Sequence, residues 1–231
     1  MKFFILPLLA LFLISNDKPE TVYDEHIKRT FVVMDIEGWT YLVNQDIIKN
    51  NKNWPTVKRL MSNQLFGMKQ FLKADVIKAM QKVKTYVDIK QKGKSGAEYH
   101  PSKQWLVNNK FSPNKAKCVE YSNVDGFIGY SKTQPWVVLH ELMHSYHDQV
   151  LGFNNKEIIN FYKTALKSGK YGTVKHITGR ERKHYGSTDH KEYLSEATEA
   201  FFGVNDFFPF VRAELKEYDP DIYNFLKKIA K

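Results

Sequence analysis

The chain has 231 residues, enough for one substantial core or a compact pair of lobes. Apolar residues make up 42% and charged residues 26%, an ordinary globular composition that excludes a disordered or fibrous chain. The 35 Lys and Arg against 25 Asp and Glu give a formal charge of +10. That excess is lysine scattered over apparently solvated stretches (49–58, 69–94 and 110–117), with no arginine-rich stripe interleaved with aromatics, so no nucleic-acid partner is expected.

Cys118 is the single cysteine, which excludes an intrachain disulfide framework and a Cys-rich zinc site. In KAKCVEYSN it reads as a half-buried structural thiol on a short strand entering a turn.

The N-terminal stretch MKFFILPLLALFLISNDKPE carries one early lysine, an apolar run from Phe3 to Ile14 and then a polar break. That run is short for a bilayer span and has the shape of a secretory h-region. Residues 1–16 are therefore expected to be a signal peptide and 17–231 a single domain. The protein would be secreted, periplasmic or held at the cell surface, with no stable membrane insertion once the signal is removed. Oligomeric state cannot be read from the sequence.

RTFVVMDIEGWTYLVN alternates apolar and polar residues around Glu37-Gly38 and predicts one or two strands. From Thr56 to Gln81, apolar residues recur at three- and four-residue steps. This predicts an amphipathic helix or a kinked pair, entered through Trp54-Pro55. Val83 to Lys90 reads as a strand ended by a turn over 93–96; QWLVNN and KCVEYSNV are shorter strand or loop candidates. After Pro135 helical patterns dominate: Pro135 to Gly152, Asn155 to Ser168, His190 to Phe202, Val211 to Tyr218 and Asp221 to Lys231. A polar loop separates the second of these from the third. The class is therefore α+β, a small N-terminal sheet plus helix joined to a helical C-terminal half.

PWVVLHELMHSYHDQVLG opens on a proline suited to a first helical turn and ends on a glycine. His140 and His144 lie one turn apart on the same face, a spacing that lets both imidazoles reach one zinc ion at about 2.0–2.1 Å. Glu141 sits one step round, placed to take a proton from a water that the metal activates, as in the HExxH arrangement of metalloproteases. Each imidazole or carboxylate in so apolar a helix costs free energy unless something binds it. His147 stands about 10 Å beyond His140 along the axis, and the glycine that turns the chain in HExxHxxGxxH sites is missing, so His147 is not expected to be a ligand. A third ligand must come from elsewhere. HKEYLSEATEAFFG places Glu192, Glu196 and Glu199 on one helix face amid small residues (Ser195, Ala197, Ala200) that permit close packing. One carboxylate there can bind the metal while another accepts the N–H of a ligand histidine. Geometry alone leaves Glu192 and Glu196 both open as the ligand.

HELMH followed by YGSTDHKEYLSEATEAFF resembles the catalytic domain of anthrax toxin lethal factor and its small secreted bacterial relatives, gluzincin-type zinc peptidases of the zincin fold. The similarity spans about His140 to Phe202 and is strongest at Tyr185-Gly186, Thr188, Glu192, Glu196 and Ala197. The resemblance implies a zincin-like fold and one zinc ion held by His140, His144 and Glu192. It makes Glu141 the general base and Glu196 the carboxylate that accepts a ligand histidine's N–H. It also makes Tyr185 the phenol that stabilises the oxyanion, a role for which His176, His184 and His190 are rivals. Nothing corresponds to the toxin's receptor-binding and substrate-docking modules, so its host-kinase substrates are not carried over.

The expected activity is zinc-dependent hydrolysis of peptide bonds in a peptide or protein substrate. That substrate would lie extended along an edge strand, for which CVEYSNV is the candidate. The alternatives are a catalytically inactive secreted zinc-binding protein and a zinc amidase acting on cell-wall peptides, whose anionic polymers would suit the positive charge.

Overall fold

The computed structural model describes residues 19–90 and 96–231; the expected signal peptide lies outside them. β1 (Thr21–Asp24), β2 (Arg29–Ile36) and β3 (Trp39–Asn44) form an antiparallel meander. The β2–β3 hairpin turns through Glu37 and Gly38, both at positive φ (57° and 93°), as a two-residue loop matched to strand twist requires. The Glu37 carboxylate is held there by Ser62 Oγ at 2.8 Å and Lys69 Nζ at 2.5 Å.

After α1 (Gln45–Asn50), the long periodic stretch becomes two helices, α2 (Trp54–Phe71) and α3 (Ala74–Met80). The break has a tertiary cause. Leu72 forms a β-bridge with Ala230, and the Lys73 N–H donates to Ile229 O at 3.0 Å, so the C-terminus is stitched into the gap. β4 (Thr85–Val87) follows, then β5 (Ala97–Tyr99), α4 (Lys103–Asn108), β6 (Val119–Tyr121) and α5 (Val124–Tyr130). QWLVNN is thus helical: Ser102 Oγ accepts the Trp105 N–H and Leu106 is buried. The sheet order is β1-β2-β3-β4-β6-β5, parallel at β3–β4 and β4–β6 and antiparallel again at β5.

The C-terminal half contains α6 (Val137–Tyr146), α7 (Lys156–Lys167), α8 (His190–Phe202), α9 (Arg212–Tyr218) and α10 (Pro220–Leu226). The polar loop before α8 carries a small ribbon, β7 (Thr173–Lys175) paired with β8 (Glu181–Lys183). The class is α+β, as expected.

One face of the sheet joins the main core: Trp39, Tyr41, Val43, Val87, Val119 and Tyr121 pack with α2, α3, α6 and α8. All ten residues of α6 are buried, so this helix is the centre of the molecule. Gln64 on α2 reaches its first turn and accepts the Val138 N–H at 2.9 Å, supplying one of the partners a buried helix end needs. Where α6 begins, Trp136 lies against Gly203 at the end of α8; a Cβ there would come within 1.9 Å of the indole.

The opposite face holds a small apolar cluster (Phe31, Leu42, Tyr86, Cys118) and an ion network. Lys115, expected on a solvated stretch, is instead fully buried, with Nζ 2.8 Å from Asp88 Oδ2 and 2.5 Å from Glu120 Oε1. Arg29 also reaches Asp88 (2.7 Å), Asn44 donates to it (2.9 Å), and His100 meets Glu120 (2.7 Å). The network spans the sheet from β2 to the end of β5. Cys118 follows a turn rather than entering one. Burial pushes its thiol up to about 11, so it is an unreactive structural group.

Candidate metal centre

Three atoms converge where α6 crosses α8. His140 Nε2 and His144 Nε2 are 3.1 Å apart, and Glu192 Oε2 lies 3.1 Å from the first and 3.2 Å from the second. The other ring nitrogens are engaged. His140 Nδ1 faces Glu199 Oε1 at 2.6 Å, an acceptor, which assigns the proton to Nδ1. Ser195 Oγ donates to His140 O, which leaves its oxygen to accept from His144 Nδ1 at 3.2 Å. With both Nδ1 atoms protonated, two imidazole lone pairs and a carboxylate oxygen point at one place. That arrangement is repulsive unless a cation lies between them. Ligands held at about 2.0–2.1 Å on a tetrahedral zinc stand about 3.3–3.4 Å apart, close to the triangle seen here. The donor set His₂Glu with one open side fits a zinc ion of the catalytic kind.

Burial opposes charge on Glu192, yet the imidazoles of His140 and His144 in their protonated form outweigh it and hold the carboxyl well below its usual range, so protons and a metal cation compete for the same three atoms. Burial likewise opposes charge on His140, and Glu192 and Glu199 overcome it, raising its pKa.

The carboxylate that holds His140 is Glu199. Glu196, expected in that role, has its Oε1 3.9 Å from Nδ1, beyond a hydrogen bond. Burial, together with the charges of Glu199 and Asp206, pushes the Glu196 carboxyl well above its ordinary range, and a carboxyl held neutral is the poorer partner for an imidazole. Glu199 also accepts from Gln134 Nε2 at 3.1 Å. Its position seven residues after Glu192 returns it to nearly the same helix azimuth, a signal present in the sequence. The role of Ser195 had none, because a serine at a helix crossing reads as a small packing residue.

The triangle opens into a cleft of 260 Å³ lined by Glu141 and Tyr185 on the site side and by Ala97, Glu98, Tyr99 and Pro101 across it. Burial raises the pKa of Glu141 while His140 and His144 lower it; burial prevails. A carboxylate made more basic than usual suits proton abstraction near neutral pH. Tyr185 is half-exposed in the turn before α8, and burial beside the Glu192 charge raises its phenol, keeping it a proton donor. Its rivals point elsewhere. His184 Nδ1 accepts the Gly186 N–H at 2.9 Å, His190 donates to Phe153 O at 2.7 Å, and His176 lies against Asp206 and Phe207.

His147 falls in a single π-helical turn, His147–Leu151, that ends α6 at Gly152. It is buried between the rings of Phe153 and His190, away from the triangle, with neither ring nitrogen hydrogen-bonded among the described residues. Asp148, one step on, accepts from Tyr99 Oη at 2.7 Å and pairs with Lys117 at 2.5 Å. It therefore ties the end of α6 to β5.

β5 is the edge strand beside the cleft; β6, expected in that place, is interior between β4 and β5. On its inner side Gly96 O accepts from Ser122 N, and His100 N donates to Cys118 O. By strand alternation, the N–H and C=O groups of Ala97 and Tyr99 face the open edge. No local pattern encodes this order, because strand neighbours are chosen by long-range pairing.

No family model matches the sequence, and no curated protein matches it. Among solved structures, the fold is similar to the Pro-Pro endopeptidase PPEP-2 from Paenibacillus alvei, with a TM-score of 0.48 and 16% identity over 81% of this chain and 96% of that one.

Proposed function

We propose that the protein is a secreted, single-domain zinc metallopeptidase of the zincin type that hydrolyses peptide bonds with one zinc ion. One observation carries this reading: His140 Nε2, His144 Nε2 and Glu192 Oε2 converge to within 3.2 Å of one another at the floor of a cleft that also holds Glu141 and Tyr185.

In this reading His140, His144 and Glu192 hold the ion, while Glu199 and Ser195 fix the two rings so that each turns Nε2 inward. When bound, the ion polarises the scissile carbonyl and lowers the pKa of a water to about 7. The substrate backbone pairs with the outward-facing N–H and C=O groups of Ala97 and Tyr99, as an added strand does. Glu141 takes the proton of the attacking water and delivers it to the leaving amine. Tyr185 donates its phenol hydrogen to the oxygen on which negative charge develops. Export rests on the apolar run from Phe3 to Ile14, and N-terminal sequencing of protein recovered from culture medium tests it.

Purified protein incubated with an unfolded protein substrate should show hydrolysis that a chelator removes and added zinc restores. Glu141→Gln should retain stoichiometric zinc and lose about 10²–10⁴-fold in rate. Wild-type activity in Glu141→Gln, or activity indifferent to chelator, would overturn the assignment.

A further inference from the structure

Beside the cleft lies a second hollow of 340 Å³ that shares Glu98, Tyr99 and Pro101 with it and is lined also by His100, Ser102 and Trp105. The two adjoin at those shared residues, where the chain leaves β5. Trp105 is 41% exposed although its neighbour on α4, Leu106, is fully buried. Its ring is nonetheless held in place. It stacks on Phe111 with centroids 5.7 Å apart and planes 19° apart, and lies 24° from parallel to His100. His100 is itself locked to Glu120 at 2.7 Å. The Trp105 backbone is tied at both ends, its N–H to Ser102 Oγ and its C=O to Asn109 Nδ2. A lone exposed apolar residue needs no explanation, but a flat aromatic wall braced by two further rings over a hollow is a preorganised surface.

The backbone gives this wall its place in substrate binding. Ala97, Tyr99 and Pro101 alternate onto the open edge, and Pro101 has no N–H to donate. Strand pairing along β5 therefore loses its donor just beyond Tyr99, where the hollow begins, and recognition passes from backbone to side chain.

We propose that this hollow is a specificity subsite that takes a bulky apolar side chain of the peptide substrate against Trp105, at one position away from the scissile bond. The proposal rests on the peptidase reading of the cleft. Filling such a pocket distinguishes a large apolar side chain from alanine by about ten- to a hundredfold.

Binding and cleavage are measured separately with the full chain loaded with zinc. Glu141→Gln protein is titrated with a positional peptide library, and the wild type is assayed for cleavage of the same peptides. Bound peptides should carry Phe, Trp, Leu, Ile or Met at one fixed position. Adding Trp105→Ala should reduce that preference by about tenfold or more, while Trp105→Phe keeps most of it. An unchanged melting temperature for Trp105→Ala shows that the loss is local. A preference that survives Trp105→Ala, or no apolar preference at any position, overturns the subsite. Binding that depends on Trp105 without cleavage of any peptide by the wild type leaves the subsite standing and refutes the peptidase reading. The absence of any peptide binding overturns both.

Discussion

Glu199→Gln should weaken zinc binding by about ten- to a hundredfold, equivalent to about 1.4–2.7 kcal/mol. The contact at stake is the 2.6 Å pairing of His140 Nδ1 with Glu199 Oε1, a short hydrogen bond to a group with no exposed surface, so no water takes the place of the lost charge. Glutamine keeps the shape and can still offer an oxygen to Nδ1, but it no longer raises the basicity of Nε2 as a charged acceptor does. On the metal-free fold the change has two opposed effects. Burial and the nearby Glu199 charge push the carboxyls of Glu196 and Asp206 upward, so removing that charge relieves repulsion, but it also breaks the pairing that raises the His140 pKa. The metal-free variant should therefore unfold within about 1 kcal/mol of the wild type, and weaker zinc binding without a matching loss of stability is the expected signature. Competition with a chromogenic chelator at neutral pH measures the first, and denaturant unfolding in excess chelator the second. Glu196→Gln is the control: its Oε1 is 3.9 Å from Nδ1, and the loss should stay below about threefold. If Glu196→Gln weakens zinc more than Glu199→Gln does, the assignment of Glu199 is wrong.

Three further outcomes test the scaffold. Lys115→Met leaves Asp88 buried with Arg29 and Asn44, and Glu120 buried with His100, and should cost about 3–5 kcal/mol, read by denaturant unfolding; a loss below about 1 kcal/mol would show that the network contributes little. Gly203→Ala places a Cβ 1.9 Å from the Trp136 indole and should cost about 1–3 kcal/mol through overpacking; an unchanged melting temperature would show that the α6–α8 contact gives way easily. His147 supplies a pH dependence. Burial pushes its folded pKa down to about 3, against about 6.5 unfolded. The unfolded chain therefore binds the extra proton, and this stabilising contribution is complete above about pH 6.5 and declines as pH falls toward 3, by at most about 1.4 kcal/mol per unit. In excess chelator, His147→Phe should flatten the decline in stability between about pH 6.5 and 5 by up to about 2 kcal/mol; a variant that follows the wild-type profile would refute the buried neutral imidazole.

The helices of the C-terminal half were legible because their signals are local. Asp189 Oδ1 caps α8 by accepting the N–H groups of Lys191 and Glu192, and the apolar period runs from His190 to Phe202 without interruption. The β2–β3 hairpin was legible only in part: Glu37-Gly38 marks a break in the alternation, which left one strand or two open until the positive φ at both residues showed a turn. α4 was missed: QWLVNN has β-forming residues, but its helix is decided by the Ser102 cap and by the burial of Leu106. Lys115 was misplaced because composition puts lysine in water; the two carboxylates that draw it inward, Asp88 and Glu120, come from different strands.

By itself the sequence determined which side chains a helix carries on one face. Three to four residues per turn set His140 beside His144 and Glu192 in line with Glu199, whatever surrounds them. Only the tertiary structure decided what those faces meet. The crossing of α6 over α8 brings Glu192 to two Nε2 atoms and Glu199, rather than Glu196, to Nδ1. The pairing of β5 outside β6 sets the open edge beside the cleft, and Asp148 ties that edge to the metal-site helix. Both depend on contacts between residues far apart in the chain, and no local period encodes them.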